Sequence, residues 1–204
     1  MDGLIFDSER VFMRELSAVA KSYGYEITES DYVRSLGLTG DTLYELQKEI
    51  HGNDYPHYEI SHKARDRVDI LAQTGGLPVK SGICELLEFL SEKKIPCAVA
   101  SSTHARYVEK YLEASGLRKY FDKVIGGDMV SKSKPEPDIF LAAAGDTAPE
   151  NCLVLEDSIN GIIAASRAGI PVICIPDMVY PTDDIKALTA AVVNTAAEVI
   201  ELIS

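Results

Sequence analysis

Basic charge is what this sequence is short of. Twenty lysines and arginines stand against 32 aspartates and glutamates, a formal net charge of −12. Nucleic acid and anionic membrane surfaces are both bound through a basic face, so neither is expected as a partner. Long apolar runs are missing too. No run reaches the about 18 residues of a membrane span, and no basic-then-apolar leader opens the sequence, so a soluble, cytoplasmic protein is expected. The four cysteines, Cys84, Cys97, Cys152 and Cys174, form no CxxC pair, and three of them lie in apolar, strand-like runs. They are expected to be small core residues in a reducing compartment, not disulfides or zinc ligands. The histidines (His51, His57, His62, His104) have no metal-binding spacing, and there is neither an internal repeat nor a low-complexity segment. What remains is 46% hydrophobic over 204 residues, enough to fill a core in one domain, or in one domain with a modest insertion.

The pattern changes once along the chain. Residues 8–76 read as nearly all helical: a helix from the Ser8 cap to about Tyr23, a short one from Thr28, a third opened by Thr39 or Asp41 and running to about Ile50, and a charged one over about 57–73. From Pro78 onward helices alternate with strands. Val79–Gly82 is a linker and Ile83–Lys93 an amphipathic helix. Strands are expected over 95–100, 123–125, 152–155 and 171–175, with a last one near 190–193, and helices between them. That alternation predicts an α/β fold, a Rossmann-like, doubly wound parallel sheet with right-handed crossovers, in residues 1–7 and 77–204. The helical block 8–76 is then an insertion.

The stretch Asn151–Gly161 organises this frame. A buried strand stops at two adjacent carboxylates, Glu156 and Asp157, and Ser158 offers an N-cap to the next helix. In a parallel sheet, ligands bind outside the carboxyl ends of strands. Two neighbouring carboxylates stay ionised most easily beside a cation, and Mg²⁺ is the first candidate for oxygen ligands. The plainer alternative is a capped helix with a solvated Glu156. Three other loops follow strand-like runs and should converge on the same crevice: Asp2-Gly3, Ser101-Ser102-Thr103 and Lys132–Asp138. Hydroxyls and the ammonium of Lys134, beside a cation, make a cradle for a dianionic phosphate. Pro135 confines the backbone of Lys134, which suits a fixed clamp. Taken singly, each feature also has an ordinary explanation as a strand end, a surface lysine or a plain turn.

Taken together, and in this order, the motifs MDGLIFDSE, AVASST, SKPEPDIF and VLEDSINGI resemble those of the haloacid dehalogenase superfamily of phosphohydrolases, in the branch of β-phosphoglucomutase-like and phosphoglycolate phosphatase-like enzymes. The resemblance covers the whole chain. It implies that Asp2 is the catalytic acid/base, that Ser101, with Ser102, and Lys134 bind phosphate, and that Asp157 and Glu156 bind Mg²⁺. It also implies a helical cap, residues 8–76, that closes over the site, and a small phosphorylated metabolite as substrate.

The first motif departs from the family pattern Asp-x-Asp-Gly. Asp2-Gly3 supplies the second aspartate, and Met1 stands at the middle position. The nucleophilic aspartate, and the core strand that carries it, are expected one step upstream of Met1, so that the first core strand is truncated here. For the intact enzyme the resemblance implies attack by that aspartate and an aspartyl-phosphate intermediate. Two alternatives are carried: a phosphomutase, and a catalytically dead phosphate-binding member. The family's mutases carry a cap histidine and a cap-loop arginine, and the matching positions here are Phe12 and Gly40, which favours the phosphatase. A monomer is the default expectation.

Overall fold

In a computed structural model that describes residues 1–38 and 40–204, the chain divides into two compact units. One comprises Met1–Asp7 and Pro78–Ser204, the other Ser8–Leu77. The sequence placed these boundaries at 7/8 and 76/77. Thr39, expected as one opener of the third helix, lies outside the described residues.

Among the described residues the smaller unit holds four helices: α1 (Ser8–Ser22), α2 (Glu29–Ser35), α3 (Gly40–His51) and α4 (His57–Gln73). Helix α2 starts on a reciprocal cap. The Thr28 hydroxyl accepts from the Asp31 amide while the Asp31 carboxylate accepts from the Thr28 amide, so two otherwise orphaned donors are satisfied at once. Helices α1 and α4 pack through Val11, Leu16, Val19 and Ala20 on one and Ile60, Ala64 and Ala72 on the other, all buried. Phe12 leans its ring on Tyr32 at a centroid distance of 6.1 Å.

The larger unit is α/β. Its helices are α5 (Ile83–Glu92), α6 (Ala105–Ala114), α7 (Asp138–Ala144), α8 (Ile159–Arg167), α9 (Asp183–Lys186) and α10 (Ala196–Ile203). Its strands are β1 (Ala98–Ser101), β2 (Lys123–Gly126), β3 (Val154–Glu156), β4 (Val172–Cys174) and β5 (Ala191–Val192). These strands pair in parallel, in two sheets ordered β1-β2 and β3-β4-β5. The Rossmann-like fold expected from the alternation is therefore present, and every strand but β2 is shorter than its apolar run suggested. The run at 95–100 enters the ladder only at Ala98. Pro96 has no amide to donate, and the Cys97 amide is turned to the Asp122 carboxylate. The run at 152–155 starts at Val154 and extends through Glu156. Residues 1–7 contribute two isolated bridges, Asp2 with Phe6 and Phe6 with Val79. The second of these corrects the reading of Val79 as plain linker.

A core of Ile125, Ile139, Phe140, Val154, Ile162, Ala165 and Val172 packs the helices α7 and α8 onto the strands. Full burial of each large member stabilises the fold by about 1.5–3 kcal/mol relative to exposure. Of the cysteines expected inside, only Cys174 is fully buried; Cys97 and Cys152 are half-buried, and Cys84 is exposed on α5. Cys84 sits one position after the buried Ile83, which turns it roughly 100° round the helix and off the apolar stripe. No described helix is long and apolar enough to cross a membrane.

Candidate active site

Glu156 is the last residue of β3, and its carboxylate is buried. Its Oε2 lies 2.9 Å from the Lys134 ammonium. Its Oε1 accepts from the Ser158 amide at 3.2 Å and from the Ser158 hydroxyl at 2.7 Å. The same hydroxyl accepts from the Gly161 amide at 3.0 Å, which caps α8 as the sequence predicts. Burial alone would raise the Glu156 carboxyl. The ammonium of Lys134, the α-amino group of Met1 and the Ser158 hydroxyl outweigh it and hold the group below its ordinary value. Lys134 is itself only 9% exposed; its Nζ lies 3.4 Å from the Ala100 carbonyl and 4.7 Å from the centre of the Phe140 ring. The lysine expected to bind phosphate and the glutamate expected to bind a cation are thus each other's partners.

Gly161 makes this arrangement fit. A β-carbon there would stand 2.1 Å from Glu156 Cδ, which real contacts never reach. Because three bonds fix the carboxylate, it cannot swing aside. Gly161→Ala is therefore expected to cost about 1–3 kcal/mol of stability, as overpacking does, read as a lowered urea midpoint.

Asp157, the next residue, turns the other way. Its Oδ2 would lie 2.2 Å from a β-carbon on Gly3, whose φ of +70° is in any case left-handed. Glycine at position 3 is required twice over, for the backbone and for the room that Asp157 takes. Burial first, and the charge of Glu156 second, push the Asp157 carboxyl up to about 7; the α-amino group of Met1 pulls the other way. A carboxylate that its surroundings disfavour, with an oxygen at the strand ends, fits a hard divalent cation. Among the described residues no cluster of three His, Cys, Asp or Glu side chains is arranged as a complete ligand set.

Asp2 is held from the opposite side. Thr103 Oγ1 donates to Asp2 Oδ2 at 2.8 Å, fixing the carboxylate across the end of β1. The Met1 carbonyl accepts from the amides of Leu4, Ile5 and Phe6, so the turn that carries Asp2 is closed on itself. Ser101 is buried, and its Oγ accepts from the Thr103 amide at 3.2 Å, which leaves the hydroxyl proton to be donated elsewhere. Ser102 is exposed. The loop is clamped by the next strand end: Gly127 donates to the Thr103 carbonyl, and Asp128 accepts from the Ala105 amide at 2.7 Å.

Two residues the sequence did not point to complete this rim. Lys80 Nζ and Asp177 Oδ1 form an ion pair at 2.6 Å, with only 18% and 4% of their side chains exposed. Thr103 was visible only as a member of a hydroxyl cluster. Its role as the donor to Asp2 spans 101 residues and has no local signature.

Carboxylates, a buried lysine and hydroxyls thus gather at the ends of β1 and β3, the place where ligands bind in open α/β sheets. The haloacid dehalogenase-like hydrolase family matches residues 1–175. A phosphorylated carbohydrates phosphatase of Thermotoga maritima is 32% identical over 94% of this chain and 88% of its own length. Hexitol phosphatase B of Escherichia coli is 29% identical over 86% and 81%. Crystalline CbbY of Rhodobacter sphaeroides, in complex with phosphate, superposes with a TM-score of 0.75 at 27% identity, covering 98% of this chain and 93% of that one. The chain belongs to the haloacid dehalogenase-like hydrolases.

Proposed function

We propose that the protein is a Mg²⁺-dependent phosphatase acting on a small phosphorylated carbohydrate. The observation that carries this reading is the convergence at the strand ends: Asp2 held by Thr103, the Lys134–Glu156 pair, and Asp157 against Gly3. The substrate class follows the relatives, a phosphorylated carbohydrates phosphatase and a hexitol phosphatase.

On this reading Asp157, with Glu156 beside it, holds the cation. When bound, it offsets the repulsion between a carboxylate and a phosphate dianion. Lys134 keeps donor capacity beyond its bond to Glu156 and steadies the phosphate, and Ser101 gives it a hydroxyl proton. Asp2, oriented by Thr103, protonates the leaving alcohol and then takes a proton from water. The family's covalent route also uses an aspartate one residue before the position of Met1. We assign to the helical unit the recognition of the rest of the substrate. The apolar packing of Phe12 on Tyr32, and a glycine at position 40, support a phosphatase over a mutase, since neither offers polar contact to a second phosphate. A monomeric, cytoplasmic protein belongs to the same proposal and rests on composition.

The test is phosphate release from a panel of phosphorylated carbohydrates with and without Mg²⁺. The 204-residue chain is assayed beside a chain extended by its natural upstream codons, with Asp157→Asn in each. Mg²⁺-dependent release by the extended chain, abolished by Asp157→Asn, is expected. An extended chain that carries the upstream aspartate and still releases no phosphate would reject the phosphatase, and conversion of a sugar 1-phosphate to the 6-phosphate would replace it with the mutase.

A further inference from the structure

Lys80 and Asp177 join parts of the chain that lie 97 residues apart, and they do so at the rim of the candidate site. The Lys80 amide donates to the Ile5 carbonyl at 2.9 Å, which pins its backbone beside the segment carrying Asp2 and Gly3. Asp177 follows β4, the strand paired with β3, and the Ile175 amide donates to the Glu156 carbonyl at 2.8 Å. Asp177 is thus the neighbour, one strand over, of the Glu156-Asp157 pair. Its Oδ1 is taken by Lys80. Its Oδ2 lies 3.4 Å from the place where a Gly3 β-carbon would stand, the same place that Asp157 Oδ2 approaches to 2.2 Å. Two carboxylates from adjacent strands therefore approach one point over the bare Cα of Gly3, and one of them, Asp177, is held there by Lys80.

Like charges so placed repel, and the repulsion is relieved by positive charge between them. Mg²⁺ gives up its waters reluctantly and is usually held in part through them, so carboxylates beyond its direct ligands matter to its affinity.

Building on the cation site proposed above, we infer that Asp177 is a positioning residue of that site, fixed by Lys80, and that it supports the cation held by Asp157 from the second strand. Lys80 has a double part here. It orients Asp177, and it neutralises enough charge for the site to exist before the cation arrives.

The experiment is calorimetric titration of the 204-residue chain with MgCl₂ at pH 8, alone and as Asp157→Asn, Asp177→Asn and the charge-neutral double variant Lys80→Met/Asp177→Asn. Urea unfolding of each without metal is measured in parallel. Asp177→Asn is expected to weaken Mg²⁺ binding by about 10–100-fold, the range typical of groups that orient a metal's ligands. The double variant should lose as much. Asp157→Asn should lose more than either. If Asp157→Asn weakens binding while both Asp177 variants stay within about twofold of the parent, the positioning role is overturned and the cation site stands. If Asp157→Asn leaves binding unchanged, the cation site itself falls, and this inference with it. If neither Asp177 variant folds, the pair belongs to the fold and the inference is overturned as well.

Discussion

Replacing Lys134 by methionine is expected to destabilise the protein by about 3–5 kcal/mol at pH 7, the usual cost of stranding one member of a buried ion pair. The partner left behind is Glu156, whose carboxylate is 6% exposed and sits at the end of β3. The loss depends on pH with a definite sign. In the parent, Glu156 is held below its ordinary value, so its contribution is present at neutral pH and fades only as the pH falls through that lowered value. In the variant, burial acts without the ammonium, the carboxyl rises, and protonation relieves the penalty. The gap between parent and variant should narrow as the pH is lowered from 7 toward 4. Adding Glu156→Gln to Lys134→Met should recover at least half of the loss, because a neutral amide still accepts from Ser158 and leaves no uncompensated charge. Urea midpoints across pH for the three proteins decide this. A constant gap at every pH would show that the cost is one of packing and not of charge.

Asp157 should behave in the opposite sense. Its carboxyl stands at about 7 in the folded chain against 3.8 for the free side chain. Between those values the folded state binds the additional proton, so this group withdraws stability as the pH rises from about 4 to 7. Without Mg²⁺, Asp157→Asn should therefore be more stable than the parent at pH 8, by about 4 kcal/mol, since a tenfold change in proton affinity is worth ~1.4 kcal/mol. The two should converge at pH 4. Mg²⁺ reverses the order: it stabilises the parent in proportion to its binding and leaves the variant unmoved. Because the cation competes with the proton, its affinity should climb about tenfold per pH unit below 7 and level off above. Equal stability of parent and variant at pH 8 would mean that Asp157 ionises freely and that no cation is needed to hold it.

Much of the larger unit could be read along the chain because its signals are local. Strand-sized apolar runs, the Ser158 cap and the change of pattern at Pro78 each span a few residues, and each gives an element where one was expected. Bounds were less legible where a side chain took the place of a ladder partner, as at Cys97 and Asp122. The candidate site was legible as a set of loops but not as a set of contacts. Lys134 and Glu156 each carried a sound separate reading, and nothing in a spacing of 22 residues says that they meet. Lys80 and Asp177 carried no reading at all. One sits in a segment that looks like linker and the other behind a proline after a short strand, and only the parallel pairing of β3 with β4 brings Asp177 to the rim.

Glu156 bonds to the lysine loop at residue 134 and to the cap of α8 at Ser158, and it lies against Gly161. Four positions thus share one volume and one balance of charge, and they cannot drift independently in descent. A lineage that loses the lysine at 134 should lose the acid at 156 in the same step or pass through a poorly folded ancestor. A lineage that gains any side chain at 161 should shorten the residue at 156. Among descendants of this sequence these positions should change as a group or not at all, while the surface of α7 between them varies freely.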